Sequence, residues 1–251
     1  LGKGDKDGAE KIHGGCFLLQ LILSVLLTAV LLIWDRKLLL MFGASENTID
    51  YAVAYMDIYA VGTIFVQLTL GLNAFITAQG FAKTGMLTVI IGAAANIVLD
   101  PLFIFVFDMG VRGAAVATVI SQGVSCVWAV CFLLSKKTGL KIRLKNMRLS
   151  LKIIMPCIAL GLATFIMQAS ESVISVCFNA SLLKYGGDLA VGAMTILSSV
   201  MQFAMLPLQG IAQGAQPISS YNFGAGNARR VRQTFRLLLK VCLGYALVLW
   251  A

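Results

Sequence analysis

The chain has 251 residues, of which 59% are hydrophobic and only 12% are charged, and its mean hydropathy is +0.89. Because a soluble domain carries roughly twice that share of charged residues, the composition indicates a membrane protein. The formal net charge of +9 does not indicate nucleic acid, since the basic residues cluster between apolar runs and leave no polar domain on which a duplex could dock. We therefore expect the lipid bilayer, and no nucleic acid, as a partner.

Six apolar runs are long enough to cross a bilayer, whose hydrocarbon core needs about 20 helical residues. In chain order they are residues 15–34, 51–78, 84–107, 113–135, 153–183, and a run from 189 that its glycines and prolines should end near 220. Loops or turns are expected at 1–14, 35–50, 83, 108–112 and 184–188. A basic loop at 229–240 precedes a seventh apolar run that is too short to span. The predicted fold class is all-α, a polytopic membrane helical bundle.

A basic linker at residues 136–152 (KKTGLKIRLKNMRLSLK) fixes the predicted topology. It carries seven Lys or Arg residues and no acid, and cytoplasmic loops hold the excess of basic residues, so it should lie inside. Alternation then leaves 16 of the 20 basic residues inside. The linker divides two predicted domains: 1–135, the remainder of an N-terminal lobe with four spans, and 153–251, the start of a C-terminal lobe with two spans and a clipped third.

A weak internal repeat supports this division. Residues Leu1–Asp5 (LGKGD) resemble residues 223–227 (FGAGN), 222 positions later, and each set leads through charged residues into an apolar run. Together with the linker, the repeat suggests two pseudo-symmetric halves, of which the chain is the middle. The chain opens in a loop without Met and closes inside an apolar run, so we expect both ends to be cut.

Polar side chains follow one side of the fifth and sixth spans at helical spacing. The fifth carries Thr164, Gln168, Glu171, Ser172, Ser175 and Asn179, and the sixth carries Thr195, Ser198, Gln202, Gln209, Gln213 and Gln216, with Met205 beside them. A single Ser or Thr more often bonds a neighbouring helix, at about 0.6–2 kcal/mol. An acid at mid-membrane costs about 2.5–3.5 kcal/mol on insertion scales, so for Glu171 and the glutamines we favour a water-filled cavity. The predicted substrate cavity comprises Gln168, Ser175, Asn179, Gln202, Met205, Gln209 and Gln213.

The fourth span has a polar stripe too, but we interpret it differently. Small residues recur at every fourth position, which is typical of a close-packing helix face. They are Gly113, Ala117, Ser121, Ser125 and Ala129.

The third span contains Asn96 and Asp100 one turn apart, so their side chains should meet on one face. Pro101 lacks an N–H group, which leaves the carbonyl of Ile97 free near the acid. A carboxylate, an amide oxygen and a spare carbonyl suit Na⁺ or provide a seat for H⁺, and no other metal site is expected. The alternative is that Asp100 ends a short helix outside the hydrocarbon, although Asp108 offers a later and better end.

Five runs of the sequence carry a family resemblance: NIVLDPLFIF (96–105), GVRGAAVATVISQ (110–122), FIMQASESVI (165–174), KYGGDLAVGAMTILSSVMQF (184–203) and PLQGIAQGAQPISSYNFGAGN (207–227). Together they resemble the multidrug and toxic compound extrusion (MATE) family, in its bacterial branch of multidrug efflux proteins. The resemblance implies twelve helices in two six-helix lobes, and a plasma-membrane antiporter that exchanges Na⁺ or H⁺ for organic cations.

The resemblance also assigns helices and residues. The chain matches helices three to eight and the start of nine, so helices one, two and most of nine to twelve are missing. Asn96 and Asp100 match the N-lobe cation site of some members, which an acid of helix one completes. Glu171 matches the acid of helix seven that is implicated in C-lobe cation binding.

Two other functions stay open. A flippase for lipid-linked oligosaccharides belongs to the same superfamily, but it would need a basic cavity. An intramembrane enzyme would need catalytic groups, and the sequence has no HExxH motif, no GxSxG motif and no histidine in a predicted span, since the lone His13 falls in the first loop. We therefore expect no enzyme activity and no cofactor, and a monomer at full length.

Overall fold

A computed structural model of the chain describes residues 1–41, 49–135, 137–140, 147 and 150–250; within its helices the side chains of 41, 152, 153, 179, 180, 183, 184, 188, 189 and 191 are not described. The described residues form six α-helices and no strand. The helices are α1 (Lys6–Met41), α2 (Ile49–Ala78), α3 (Ala82–Pro101), α4 (Gly110–Leu134), α5 (Leu151–Gly224) and α6 (Ala228–Trp250). A π-helical segment of five residues, Leu102–Val106, follows α3 directly.

Seven segments of the described helices are long and apolar enough to cross a membrane. Two of them, Ile154–Phe178 and Gly192–Gly224, belong to α5. The helix is broken between them at Gly187, whose φ of +63° lies in the left-handed region that glycine adopts readily. We refer to residues 151–186 and 188–224 as the first and second limbs of α5. The break falls within the predicted turn at 184–188.

Several predicted boundaries are wrong because charged residues were interpreted as loops. α1 begins at Lys6, inside the predicted loop 1–14, and continues to Met41, inside the predicted loop 35–50. Only Trp34 has non-helical dihedral angles (φ −117°, ψ 15°), so the predicted span end is a kink. Helices tolerate charges near a membrane surface because long side chains extend to water while their backbone stays helical.

The C-terminal boundaries need the same correction. α5 continues to Gly224 rather than ending near residue 220, and the basic stretch 229–240 lies within α6. α6 has 23 residues and is long enough to span, contrary to the prediction that the seventh run is too short. Residues 42–48, and most of the predicted linker 136–152, lie outside the described residues.

The helices pack as two compact units. The first is Lys6–Ile154, and the second combines Leu1–Asp5 with Met155–Ala251. In the first unit α2 packs against α1, α3 and α4. Its apolar core comes from α2 and α4, and comprises Leu68, Leu72, Ile76, Cys126, Ala129 and Leu133. The lobe boundaries predicted from the linker stay a prediction.

The small residues of α4 form a packing face, as predicted. Gly113, Ala117, Ser121, Ser125 and Ala129 are all buried. The Oγ of Ser125 donates a hydrogen bond to the carbonyl oxygen of Thr88 in α3 at 3.0 Å. The polar stripe of the fourth span therefore serves helix association and lines no cavity described here.

His13 is not a loop residue, which corrects another prediction. It lies in α1 with no exposed surface, and its ring stacks on Phe75 of α2 with centroids 4.1 Å apart. The imidazole thus fills the α1–α2 interface of the first unit.

Candidate cation and substrate sites

The first candidate site lies near the end of α3. Asn96 and Asp100 are half-buried, and the Nδ2 of Asn96 donates a hydrogen bond to the Oδ1 of Asp100 at 3.0 Å. The helix thus brings the two side chains together, as a spacing of four residues predicts.

The backbone widens directly after this pair. Pro101 is the last residue of α3, and in the following π-helical segment the N–H of Phe107 donates to the carbonyl oxygen of Leu102 at 3.0 Å. Short π-helical segments inside helices are frequent at functional sites. Helical structure continues to Val106, so Asp100 does not end its helix and lies inside the membrane-length segment Ala82–Val106.

The second candidate site lies between the two limbs of α5. A cavity of about 460 Å³ opens there, lined by Ile174, Ser175, Phe178, Met194, Thr195, Ser198, Ser199 and Gln202. Gly187 turns the chain so that the polar stripes of the two limbs meet across this cavity. Among the described residues, its lining combines four hydroxyl groups and one carboxamide with apolar and aromatic surface, and carries no charged side chain.

The structure brings together some of the predicted cavity residues and not others. Ser175 and Gln202 line the cavity. Two of the remaining residues precede it on the exposed surface of the first limb, and three follow it on the exposed surface of the second; these are Gln168, Glu171, Met205, Gln209 and Gln213. The side chain of Asn179 lies outside the described residues. The assignment of these residues to a substrate site stays a prediction.

The sequence analysis missed the apolar wall of the cavity. Ile174, Phe178 and Met194 contribute it, and none was singled out because the search followed polar residues only. Helical spacing contained the signal: Phe178 lies three residues after Ser175, and Met194 lies four residues before Ser198. Residues three and four apart share a helix face, so they had to accompany the polar stripes.

The two limbs carry four charged residues, Lys152, Glu171, Lys184 and Asp188, of which Glu171 has a described side chain. Between residues 153 and 183 the sole charged residue is Glu171, and residues 189–228 contain none. Glu171 precedes Ser175 by four residues, which places it about 6 Å away along the helix axis. Among the described side chains, the cavity therefore offers hydroxyls, a carboxamide and aromatic surface, with the carboxylate of Glu171 about one turn away.

Membrane-length helices in two packed units, one with a polar cavity between helical limbs, define a multi-pass membrane protein of the transporter type. The MatE family model matches residues 1–102 and 163–251, and the chain accordingly belongs to the MatE family. This confirms the resemblance drawn from the sequence runs, and with it the location as a multi-pass protein of the plasma membrane.

Similar proteins include multidrug exporters. The multidrug export protein MepA of Staphylococcus saprophyticus is 27% identical over 238 residues, which cover 92% of this chain and 51% of that protein. MepA of Staphylococcus haemolyticus is 26% identical over 220 residues, covering 88% and 48% of the two chains. The chain thus spans about half the length of the curated relatives it matches.

Solved structures show the same fold. A crystal structure of MATE in the bent conformation matches with a TM-score of 0.91 and 26% identity, covering 99% of this chain and 56% of that one. A MOP superfamily transporter from Pyrococcus furiosus, described by the reverse polarity of its binding pocket and a different function, matches with the same TM-score and identity over 99% and 55%. These matches confirm the predicted fold, part of a two-lobe, twelve-helix transporter.

Proposed function

We propose that the chain is part of an antiporter that exports organic cations across the plasma membrane in exchange for Na⁺ or H⁺, by alternating access. The observation that carries this proposal is the α5 cavity, whose described lining residues have no charged side chain and whose nearest sequence neighbour with a charge is Glu171. The multidrug export relatives support the same class of substrate. We propose likewise that the full-length protein acts as a monomer.

The polarity of the cavity argues against the flippase alternative. A lipid-linked oligosaccharide carries phosphate, which needs Lys or Arg to balance its charge. Residues 153–183 and 189–228 contain neither, so these two stretches offer no Lys or Arg with which to bind phosphate; the lysines of the first limb, Lys152 and Lys184, lie at its two ends. An organic cation, in contrast, is attracted by Glu171 and by the face of an aromatic ring such as Phe178.

The two carboxylates suggest how export is coupled to an ion. Asp100 and Glu171 each lie in a membrane-length helix, where an uncompensated charge is costly. Binding of Na⁺ or H⁺ at either acid neutralises it, and so changes the free energy of any conformation that exposes or buries that acid. A drug that displaces the ion from Glu171, or shifts the conformation set by Asp100, is thereby exchanged for it.

The experiment uses the full-length protein in proteoliposomes, with a fluorescent organic cation and imposed Na⁺ or H⁺ gradients. Glu171→Gln keeps the size and hydrogen bonding of the side chain and removes its charge, so it should insert normally and export at least about tenfold more slowly, the usual result of losing a specific charge–charge contact. Asp50→Asn is the matched control, since Asp50 pairs with Arg36 at 3.3 Å and both side chains are largely exposed.

Two outcomes contradict the proposal. If Glu171→Gln is inserted normally and exports at the parent rate, Glu171 is only structural. If the parent protein ignores the cation and instead moves a fluorescent lipid-linked sugar, the flippase alternative replaces the antiporter.

A further inference from the structure

The two resembling glycine turns share a backbone hydrogen bond and a glycine in the left-handed region. The N–H of Gly4 donates to the carbonyl oxygen of Leu1 at 2.9 Å, and the N–H of Gly226 donates to that of Phe223 at 3.1 Å. Both glycines have positive φ, +75° and +71°. Two residues after these glycines a helix begins, at Lys6 for α1 and at Ala228 for α6. The offset is 222 residues throughout, so the weak repeat in the sequence is a structural repeat.

The two turns also touch each other, within the second unit. A Cβ atom added to Gly2 would lie 3.1 Å from the Cα of Gly224 and from the N of Ala225, and it would overlap the carbonyl oxygen of Tyr221. A Cβ atom added to Gly224 would lie 3.3 Å from the Cα of Gly2. Since ordinary contacts of this kind are about 3.5–4.0 Å, backbone packs on backbone here and leaves no space for a side chain.

Gly2 and Gly224 are themselves equivalent positions of the repeat. In a twofold arrangement a residue contacts its own equivalent only where both lie at the axis, because elsewhere residue i meets a different residue j. A contact between Gly2 and Gly224 is therefore the one that a pseudo-twofold axis relating the two turns would produce. Such an axis is the place where a transporter built from two repeats opens or closes one face.

We propose that the turns Leu1–Asp5 and 223–227 form a self-complementary, glycine-only latch that closes the cytoplasmic face around this axis. The predicted topology places the starts of α1 and α6 inside, so the latch lies on that side. The proposal rests on alternating access: the turns are in contact when the face is closed and separate when it opens. Each turn is the binding partner of the other. Glycine is required at Gly2 and Gly224 because a Cβ atom at either position would meet rigid backbone.

The first test measures accessibility, which does not depend on the substrate. In the full-length protein without native cysteines, Ser198→Cys in the α5 cavity is labelled by a membrane-impermeant maleimide added from the cytoplasmic side. Gly2→Ala and Gly224→Ala should each raise the labelling rate about tenfold, because overpacking by one methyl group destabilises the closed contact. Gly210→Ala is the control, since a Cβ there meets nothing within 4 Å, and it should leave the rate unchanged.

A second test leaves both latch glycines intact. The backbone N of Ala225 lies 3.1 Å from a Cβ atom added to Gly2, and that of Lys3 lies 3.6 Å from one added to Gly224. A Lys3→Cys, Ala225→Cys pair next to this contact should therefore form a disulfide on oxidation. The cross-link should reduce cytoplasmic labelling of Ser198→Cys to background, and a reductant should restore it. Labelling that is unchanged in both glycine variants, or a pair that does not cross-link, refutes the latch. Absence of dye transport with these labelling results intact refutes the proposed function and not the latch.

Discussion

The hydrogen bond between Asn96 and Asp100 predicts whether the affinity for the coupling ion should rise or fall when Asn96 is replaced. In the structure the amide nitrogen of Asn96 donates to the carboxylate at 3.0 Å, so the amide compensates the bare negative charge. A bound cation competes with that compensation. Replacing Asn96 by alanine removes the donor and should therefore strengthen binding of the coupling ion at Asp100.

The magnitude follows from the setting of the bond. A hydrogen bond to a charged group contributes about 1.5–3 kcal/mol, while those between transmembrane helices average about 0.6 kcal/mol. Both side chains are half-buried, so we take about 1 kcal/mol. This corresponds to about a fivefold lower ion concentration at half-maximal response in Asn96→Ala. Asp100→Asn should abolish the ion response altogether, because no charge remains to be neutralised.

The assay is drug release from vesicles containing the full-length protein, measured over a series of Na⁺ concentrations and, separately, of imposed pH gradients. If Asn96→Ala raises the half-maximal ion concentration instead, the amide oxygen is an ion ligand, as the sequence alone suggested, and the argument from this hydrogen bond is refuted. If Asp100→Asn still responds to the ion gradient as the parent does, the coupling-ion site lies elsewhere and Glu171 is the stronger candidate.

Two further predictions concern the chain itself and its packing. Expressed alone, residues 1–251 should give no energy-dependent efflux of a cationic dye, because they span only about half the length of their relatives; efflux at the rate of a full-length relative would contradict this. In the first unit, Ser125→Ala should lower the free energy of unfolding by about 0.6–1.7 kcal/mol, because the bond to Thr88 is lost. Ala129→Leu should lower it by about 1–3 kcal/mol through overpacking. Both are measured by thermal unfolding in detergent, and equal stability of parent and Ala129→Leu would show that the α4 face is not close-packed.

The sequence was most informative where one physical signal acted alone. Long uncharged runs predicted membrane helices, because lipid requires internal backbone hydrogen bonds. Small residues at every fourth position predicted the α4 packing face, and a spacing of four predicted the Asn96–Asp100 contact. In each case a local pattern determines a local structure, so no knowledge of distant contacts was needed.

Helix boundaries were less predictable, because charged residues near a membrane surface occur both in loops and in the ends of helices. Lys6 and Lys11 were assigned to a loop, yet both lie within α1, and five basic residues assigned to a loop lie within α6. The burial of His13 was likewise not predictable, because its contact with Phe75 depends on how another helix packs against α1. The apolar wall of the α5 cavity likewise depends on how two limbs meet.

The reversal of α5 at Gly187 has a consequence for how the protein is made. Almost no hydrophilic loop separates the limbs, so little polar chain has to be transferred across the bilayer after the first limb has been synthesised. The two limbs are therefore suited to entering the membrane together, as a preformed hairpin. Joint entry lets Ser175 of the first limb and Gln202 of the second meet within the hairpin, so their polar groups are not left alone among lipid tails. Lengthening this turn would separate the insertion of the two limbs. We expect it to lower the amount of correctly inserted protein before it changes the transport rate.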